Sequence, residues 1–192
     1  MTPLWSPSPD DVQDSILSQF AVHVGMDNAN FDELHRWSVE HGEDFWAAVW
    51  DFCGVVGERG SEGISSIDDV PYARFFSDSK VSFAENMLGR AMAEPEAPAI
   101  IFRRQGESDR IVSGGELCAE VSRWEQALAG LGVGEGDRVG VYLPNVPETV
   151  FVLLAASNLG AVFASAGMEM GGDDLVNRFS QIGPKVLVTQ EG

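Results

Sequence analysis

Residues 138–165 read RVGVYLPNVPETVFVLLAASNLGAVFAS, and this stretch decides the fold. The apolar run 138–143 predicts a strand, and residues 148–158, which follow a Pro-Asn-Val-Pro turn, predict a buried helix. A second apolar run, 161–165, predicts another strand. Because two strands separated by a helix pair in parallel through a right-handed crossover, the stretch predicts a βαβ unit.

The residues that follow repeat the same alternation. Residues 173–182 predict a helix, and residues 185–189 predict a strand after the Gly183-Pro184 turn. The uniformly apolar composition of these strands is typical of parallel strands that are buried on both faces. The sequence therefore predicts an α/β fold, with an incomplete βαβαβ arrangement around a mostly parallel sheet.

One hairpin and one helix precede this unit. The apolar runs 99–102 and 110–113 predict a β-hairpin around Gly106. Ser113 and Glu116 have the spacing of a capping box, in which each side chain accepts a hydrogen bond from the other residue's backbone N–H. This spacing predicts a helix that starts directly after the hairpin.

The first 97 residues predict a mainly helical region. Ser8 predicts the start of one helix, whose apolar stripe continues to Phe20. Asn30 and Ser82 are candidate N-caps of later helices, each with a glutamate three residues on. Residues 54–79 are rich in Gly, Ser and Asp and predict a loop.

Composition and charge exclude several functions. The 192 residues carry 30 acidic and 12 basic side chains, a formal net charge of −18. Nucleic acid and anionic membranes both attract positive surfaces, so neither is expected as a partner. Two cysteines without a C-x-x-C motif, and a start without a leader pattern, predict a cytoplasmic protein.

One uncharged window, residues 149–168, is long enough for a transmembrane helix. Polar residues and glycine interrupt the window, and no Lys, Arg or aromatic anchors flank it. The pattern therefore favours a buried helix, a turn and a buried strand over a membrane span.

No short motif completes an active site. The glycines of residues 132–136, GVGEG, lack the spacing of a dinucleotide loop and precede their strand, so they predict a turn. Neither lysine follows a glycine, as a P-loop requires. His35, His41 and Cys53 lack the spacing of metal ligands, and no G-x-S-x-G nucleophile motif occurs. The residues predict no metal site and no catalytic residue.

Several longer motifs are similar to those of a known family. Residues 31–40 read FDELHRWSVE, residues 81–88 read VSFAENML, and residues 178–185 read RFSQIGPK. Residues 136–139, GDRV, and 142–145, YLPN, continue the pattern. Together they resemble, over nearly the whole chain, the amino-terminal region of acyl-CoA synthetases of the acetyl and acetoacetyl type, which are adenylate-forming enzymes. The acetoacetyl type is the more similar.

The resemblance implies a function for a longer chain. It implies activation of acetoacetate, or another short acid, by ATP with Mg²⁺ to an acyl-adenylate, and transfer of the acyl group to coenzyme A. The family's ATP loop, acyl pocket and catalytic lysine lie beyond the matched stretch. The 192 residues are thus expected to be a fragment, inactive alone, on which the rest of the polypeptide packs. Residues 1–97 then correspond to the family's helical amino-terminal region, and residues 98–192 to the first portion of its AMP-binding domain.

The resemblance also implies one binding site. In acetyl-type members the turn after the strand at 161–165 approaches the adenine of coenzyme A, and the match places this contact at Gly167, Met168 and Glu169. Acetoacetyl-type members carry Ser-Pro-Asp-Phe-Gly there, whereas this chain carries GMEMG at 167–171. The location agrees with ligand binding where parallel strands end. A plain connection from strand to helix is the alternative.

Two other functions compete with the ligase. An aromatic helical face made by Trp37, Phe45, Trp46 and Trp50 suits a free-standing, non-catalytic module that binds another protein. A nicotinamide-binding half-domain is disfavoured because the glycine fingerprint of that fold is missing.

Overall fold

The computed structural model describes residues 4–26, 30–65, 69 and 71–190. The chain divides into two compact units, Met1–Val81 and Ser82–Gly192. The helix that starts at Phe83 belongs to the second unit, because its Leu88 and Ala91 are part of that unit's core. The predicted domain boundary between residues 97 and 98 comes from the family that the sequence resembles, and it stays a prediction.

The first unit combines helices with short paired strands. The predicted loop at 54–79 contains short strands: β2 (Ile64–Ser65) pairs antiparallel with β3 (Arg74–Phe75), and β1 (Gly57–Glu58) pairs antiparallel with β4 (Lys80–Val81), which directly follows the predicted loop. The Asp78 carboxylate ties this segment together by accepting hydrogen bonds from the N–H groups of Ser61 (2.8 Å) and Glu62 (3.0 Å). The helices are α1 (Pro9–Gln13), α2 (Ile16–His23), α3 (Phe31–Glu40) and α4 (Gly42–Phe52), and the strands are β1 (Gly57–Glu58), β2 (Ile64–Ser65), β3 (Arg74–Phe75) and β4 (Lys80–Val81).

The single helix predicted from Ser8 to Phe20 is two helices in the structure. Ser8 caps α1 by accepting from the Asp11 N–H, and Ser15 caps α2 by accepting from the Ser18 N–H. The Ser15 cap stabilises a break, since its side-chain oxygen satisfies an N–H group that the start of a new helix leaves free. The predicted stripe is only partly buried, because Phe20 is buried whereas three other members are exposed: Val12, Ile16 and Leu17.

The core of the first unit is small and aromatic. Phe20, Ala21 and Leu34 are buried at its centre. The Phe20 ring meets those of Phe45 and Phe52 edge-on, with centroids 5.7 and 5.2 Å apart. Edge-on contacts are favoured because the positive ring edge faces the negative ring face.

The second unit is α/β, as predicted. The hairpin is confirmed, because β5 (Pro98–Phe102) and β6 (Arg110–Ser113) pair antiparallel with Ile100 opposite Val112. The elements are α5 (Phe83–Ala93), β5 (Pro98–Phe102), β6 (Arg110–Ser113), α6 (Gly114–Gly130), β7 (Arg138–Tyr142), α7 (Pro147–Asn158), β8 (Val162–Ala166), α8 (Gly172–Ile182) and β9 (Val186–Thr189).

The predicted parallel sheet is confirmed. β7 is its central strand, the order is β8-β7-β9, and both neighbours run parallel to β7. Val139 and Val141 are fully buried and belong to the cluster that includes α7. Because successive side chains of a strand point to opposite faces, Arg138, Gly140 and Tyr142 lie on the other face of β7.

The uncharged window at 149–168 is divided between a helix and a strand. It covers most of α7, a turn at Gly160 with φ of +66°, and β8. Phe151, Val152 and Ala155 of α7 are fully buried. Within the described ranges, no helix is both long enough and apolar enough to cross a membrane.

Local capping signals define several helix starts. The capping boxes predicted for Asn30 with Glu33 and for Ser113 with Glu116 are both present. Ser82 with Glu85 has the spacing of a third box, and its serine half is formed: the Ser82 side chain accepts a hydrogen bond from the Glu85 N–H at the start of α5. These side chains satisfy N–H groups that a helix start leaves without an intrahelical partner.

Candidate functional site

The carboxyl ends of three parallel strands lie at one edge of the sheet. β7 ends at Tyr142, β8 at Ala166 and β9 at Thr189, and we call this side the carboxyl edge. Ligands of open parallel sheets bind outside this edge, where connections leave the strands. The predicted site residues at 167–169 directly follow β8 and therefore lie at the carboxyl edge.

The turn at 167–170, called the β8 turn below, is held by its own backbone and by one side chain of β7. The Met170 N–H donates to the Gly167 carbonyl oxygen over 3.1 Å. The Tyr142 hydroxyl lies 3.0 Å from the Met170 carbonyl oxygen and 3.3 Å from that of Met168. A phenol has one hydrogen to donate, so the two carbonyl oxygens share it, with Met170 the nearer acceptor.

Sequence reasoning missed Tyr142 as part of this site. The available signal was a hydroxyl-bearing aromatic residue at the end of a predicted apolar strand, in a chain with only two tyrosines. Its partners are backbone carbonyl groups 26 and 28 residues later, and no local pattern indicates such a contact.

The three predicted site residues are neighbours with different environments. Met168 is 46% exposed, and Glu169 is exposed as well. The Glu169 carboxylate folds back over Gly167, and a Cβ atom at position 167 would collide with it. A glycine at 167 therefore lets the acidic side chain lie over the start of the β8 turn.

The surroundings of the β8 turn are acidic. Beyond Glu169, the first turn of α8 carries Asp173 and Asp174. Like charges repel, so these carboxylates oppose the attraction that the amino end of α8 would have for a phosphate group. Carboxylate and carbonyl oxygens only accept hydrogen bonds, and they suit an amino group of a ligand.

The opposite edge of the sheet is held by charged side chains. The Arg138 guanidinium donates to the carbonyl oxygens of Ile182 (2.9 Å) and Gly183 (2.8 Å). Lys185 donates to the Gly132 carbonyl oxygen and to the Asp137 carboxylate. The motif at 136–139 and the end of the motif at 178–185 thus meet at the amino ends of the strands, where they connect neighbouring turns.

Asp137 is the central acceptor of this amino edge. A hydrogen bond from Lys185 and a second from the Gly134 N–H hold the pKa of its carboxyl group below the ordinary value of 3.8. Both partners stabilise the charged form. Asp137 and Lys185 therefore have a structural role here, and the Gly183-Pro184-Lys185 sequence forms a turn from helix to strand.

An apolar groove lies elsewhere on the second unit. It has a volume of about 260 Å³ and is lined by residues of α5, β5, α6 and α7. Phe83 and Met87 are its more exposed apolar members, at 52% and 57%. Its charged residues, Arg90 and Glu94, pair with each other over 3.4 Å. The groove suits apolar contact rather than acid–base chemistry.

The described part of the chain does not fit a metal site. Among its residues, no group of three or more His, Cys, Asp or Glu side chains is placed to hold a metal ion. Its buried side-chain N and O atoms all have hydrogen-bond partners, so none is left aimed into a cavity.

Other aromatic residues of the first unit cover much of its aromatic face. Phe75 meets Trp46 with ring centroids 5.6 Å apart, and Phe76 meets Trp50 at 5.3 Å. Trp46 is 40% exposed, and the other residues of the face, Trp37, Phe45 and Trp50, are half-buried. Intramolecular packing thus accounts for much of the pattern that suggested a partner-binding module.

The second unit has the architecture of an α/β ligand-binding domain. Its parallel sheet carries a candidate binding turn at the carboxyl edge and a charged structural cluster at the other. The family model described as "AMP-binding enzyme" matches residues 89–192. The chain belongs to the AMP-binding enzyme family.

Two curated relatives extend the similarity to the first unit. The acetoacetyl-coenzyme A synthetase of Rhizobium meliloti is 37% identical over 99% of this chain. The acetoacetyl-CoA synthetase of Macaca fascicularis is 35% identical over 98% of this chain. The chain spans 29% and 28% of the lengths of these relatives.

A solved structure agrees with this assignment. The acetoacetyl-CoA synthetase from Streptomyces lividans is similar over 98% of this chain and 30% of its own, with a TM-score of 0.88 and 30% identity. The expected resemblance to the amino-terminal region of this enzyme type is confirmed.

Proposed function

We propose that the chain is part of an acid–thiol ligase that activates acetoacetate with ATP and transfers the acyl group to coenzyme A. The acetoacetate carboxylate attacks the α-phosphate of ATP, which forms an acyl-adenylate and releases pyrophosphate. The thiol of coenzyme A then attacks the acyl carbon, and AMP leaves. ATP and Mg²⁺ belong to the activity of the longer protein.

One observation carries this proposal. Both compact units, rather than the α/β unit alone, are similar to acetoacetyl-CoA synthetases, with 98% of the chain covered at a TM-score of 0.88. A shared parallel sheet supports only the family, because proteins with one fold can have many different functions. Similarity across the helical first unit as well supports this particular type of ligase.

The proposed contribution of this chain to ligand binding is the β8 turn. Gly167, Met168 and Glu169 would contact coenzyme A, with the exposed Met168 side chain against its adenine ring. The Glu169 carboxylate would accept a hydrogen bond from the adenine amino group. The acidic surroundings support contact with the neutral base rather than with the phosphates.

The proposed activity includes the remaining polypeptide as an intramolecular partner. The chain spans 29% of the length of a relative that matches it throughout, so the proposed ATP and acyl sites lie in the corresponding remainder. A cytoplasmic location goes with this proposal and is supported by the free thiols of Cys53 and Cys118.

The test measures pyrophosphate release and acyl-CoA formation by the protein encoded by the complete reading frame. We expect both products with acetoacetate, ATP and coenzyme A together, and less product with acetate or butyrate. The 192-residue chain alone is the matched control and should release no pyrophosphate. Turnover by that chain alone would contradict the proposal, and so would a complete protein that forms no acyl-CoA from acetoacetate.

The contact at the β8 turn has a separate test. Glu169→Ala should raise the KM for coenzyme A and leave the KM for ATP unchanged, because only the thiol substrate is proposed to touch this turn. Glu96→Ala, on the exposed connection between α5 and β5, is the control. Equal effects of the two variants would remove Glu169 from the binding site.

A further inference from the structure

Two side chains of β7 hold the two ends of α8. Arg138 and Tyr142 lie four residues apart on one face of the strand. Arg138 donates to the carbonyl oxygens of Ile182 and Gly183, where α8 ends, and Tyr142 donates to carbonyl oxygens just before α8 begins. One side chain of β7 thus forms hydrogen bonds at each end of α8.

The two tethers differ in strength. Arg138 is charged and donates two hydrogen bonds to the negative carboxyl end of a helix, which is an electrostatically favourable place for a cation. Tyr142 is neutral and shares one hydrogen between two carbonyl oxygens at 3.0 and 3.3 Å. The amino end of α8, with the β8 turn, is therefore the more weakly held end.

Two backbone features also hold the β8 turn: its internal hydrogen bond from the Met170 N–H to the Gly167 carbonyl oxygen, and the pairing of Ala166, directly before it, with Tyr142. Met168 is 46% exposed, and the glycines at 171 and 172, between the turn and α8, have open space where a Cβ atom would be. In α8 itself Phe179 is buried, and it lies near the Arg138 end of the helix. Strand pairing thus fixes where the β8 turn starts, whereas the Tyr142 hydroxyl holds the later carbonyl groups, those of Met168 and Met170, to β7.

We propose that Tyr142 is a positioning residue, whose hydroxyl fixes the carbonyl groups of Met168 and Met170 and so sets the shape of the β8 turn for its ligand. The ligand part of this inference rests on the proposed function, in which the turn contacts coenzyme A. The positioning part rests on the hydrogen bonds alone. Tyr142 acts through the turn and takes no part in a chemical step.

The first experiment measures amide hydrogen exchange in the 192-residue chain by NMR. Tyr142→Phe keeps the ring and removes the donor, and we expect exchange of the Met170 N–H to become about threefold to tenfold faster. The Lys185 N–H, which donates to the Arg138 carbonyl oxygen at the other edge, is the internal control. Tyr72→Phe, at the exposed second tyrosine, is the matched variant. Unchanged exchange at Met170 in Tyr142→Phe would overturn the inference.

The second experiment measures steady-state kinetics of the complete protein. Tyr142→Phe should raise the KM for coenzyme A about threefold to tenfold and change kcat by less than about twofold, since it disturbs a binding turn and no reacting group. A variant with only partial folding would lose kcat at an unchanged KM, and this result overturns a positioning role. Faster exchange with an unchanged KM shows that the turn does not bind this substrate, and it overturns the ligand part.

The two experiments separate this inference from the proposed function. If the unmodified complete protein has no acetoacetate-dependent activity, the proposed function fails. The exchange of the Met170 N–H then decides by itself whether Tyr142 positions the β8 turn.

Discussion

The two compact units have cores of different kinds. In the second unit, aliphatic side chains from helices and sheet form one continuous cluster around Val139, Val141 and Phe151. In the first unit, the buried centre is Phe20, Ala21 and Leu34, surrounded by partly buried aromatic rings. Stability in the second unit thus comes mainly from buried apolar area, whereas the first unit depends more on a few ring contacts.

This difference shows how the sequence distributes its apolar residues. The middle of the central strand β7, Val139–Val141, is buried and carries no polar side chain, whereas the neighbouring strands β8 and β9 keep exposed side chains such as Val162 and Leu187. The predicted burial of the parallel strands on both faces thus holds for the middle of β7 and not for its neighbours. Short helices with short strand pairs cannot enclose as much area, and small cores are correspondingly less stable. We expect the first unit to unfold at a lower denaturant concentration than the second.

The largest expected effect comes from truncating the centre of each core. Phe151→Ala should lower the free energy of unfolding of the second unit by about 3–5 kcal/mol, because a fully buried ring leaves a cavity among its neighbours. Phe20→Ala should cost the first unit about 3 kcal/mol, since it removes two edge-on ring contacts. Hydrogen exchange of peptides from each unit in increasing urea measures both.

Each core truncation also tests the independence of the units. Phe151→Ala should leave exchange in the first unit close to that of the unmodified chain, and Phe20→Ala should do the same for the second. Equal destabilisation of both units by either variant would show a single cooperative core and would contradict the description of two separate cores.

An intermediate effect is expected at the helix caps. Asn30→Ala in the first unit and Ser113→Ala in the second should each cost about 1 kcal/mol, because each removes the oxygen that accepts the N–H three residues later. Ser113→Asp is the control, since aspartate caps as well as serine does. Thermal unfolding followed by circular dichroism gives the values, and a larger loss for Ser113→Asp than for Ser113→Ala would contradict a capping role.

The smallest change in the free energy of unfolding is expected when two carboxylates with lowered pKa, those of Asp78 and Asp137, become protonated. The N–H groups of Ser61 and Glu62 lower the pKa of Asp78 in the first unit, and the Lys185 hydrogen bond chiefly lowers that of Asp137 in the second. A pKa that is lower in the folded state stabilises the fold above the unfolded pKa. This contribution is lost as the pH falls from the ordinary value of 3.8 through the folded pKa.

Salt should distinguish these two carboxylates. Asp137 has a cationic partner and Asp78 has backbone partners, so about 0.5 M salt should weaken the acid-dependent contribution of Asp137 more. Unfolding temperatures between about pH 5 and pH 2, with Asp137→Asn and Asp78→Asn as references, measure this. Equal salt sensitivity of the two would contradict the assigned partners.

The prediction of the fold succeeded where local signals and burial agree. The βαβαβ order, the hairpin and the capping boxes at Asn30 and Ser113 all follow from short patterns, and the structure confirms them. The prediction of a single first helix was wrong, because Ser15 provides a second N-cap inside the apolar stripe and starts a new helix there. Periodicity describes the apolar face of a helix, but it does not show whether a second N-cap inside that stripe starts a new helix.

The sequence predicted where the candidate site lies, but not which contacts shape it. A turn after a parallel strand identifies residues 167–169 as lying at the carboxyl edge. The folding of Glu169 over Gly167 is local, but it depends on the conformation of the turn, which the sequence pattern does not give. The Tyr142 hydrogen bonds depend on residues that meet only when β7 and β8 pair. The partly covered aromatic face is a similar case, since Phe75 and Phe76 reach it through strand pairing in the first unit.

The sequence by itself determined the alternation of strands and helices, the apolar strands of the parallel sheet and the resemblance to one type of ligase. Hydrophobic periodicity and caps are local, so a single sequence contains them. Only the tertiary structure decided that Arg138 and Tyr142 tether opposite ends of α8, and that Asp137 and Lys185 lie at the edge away from the β8 turn. These contacts join residues far apart in the chain, and their geometry exists only after the strands have been placed side by side.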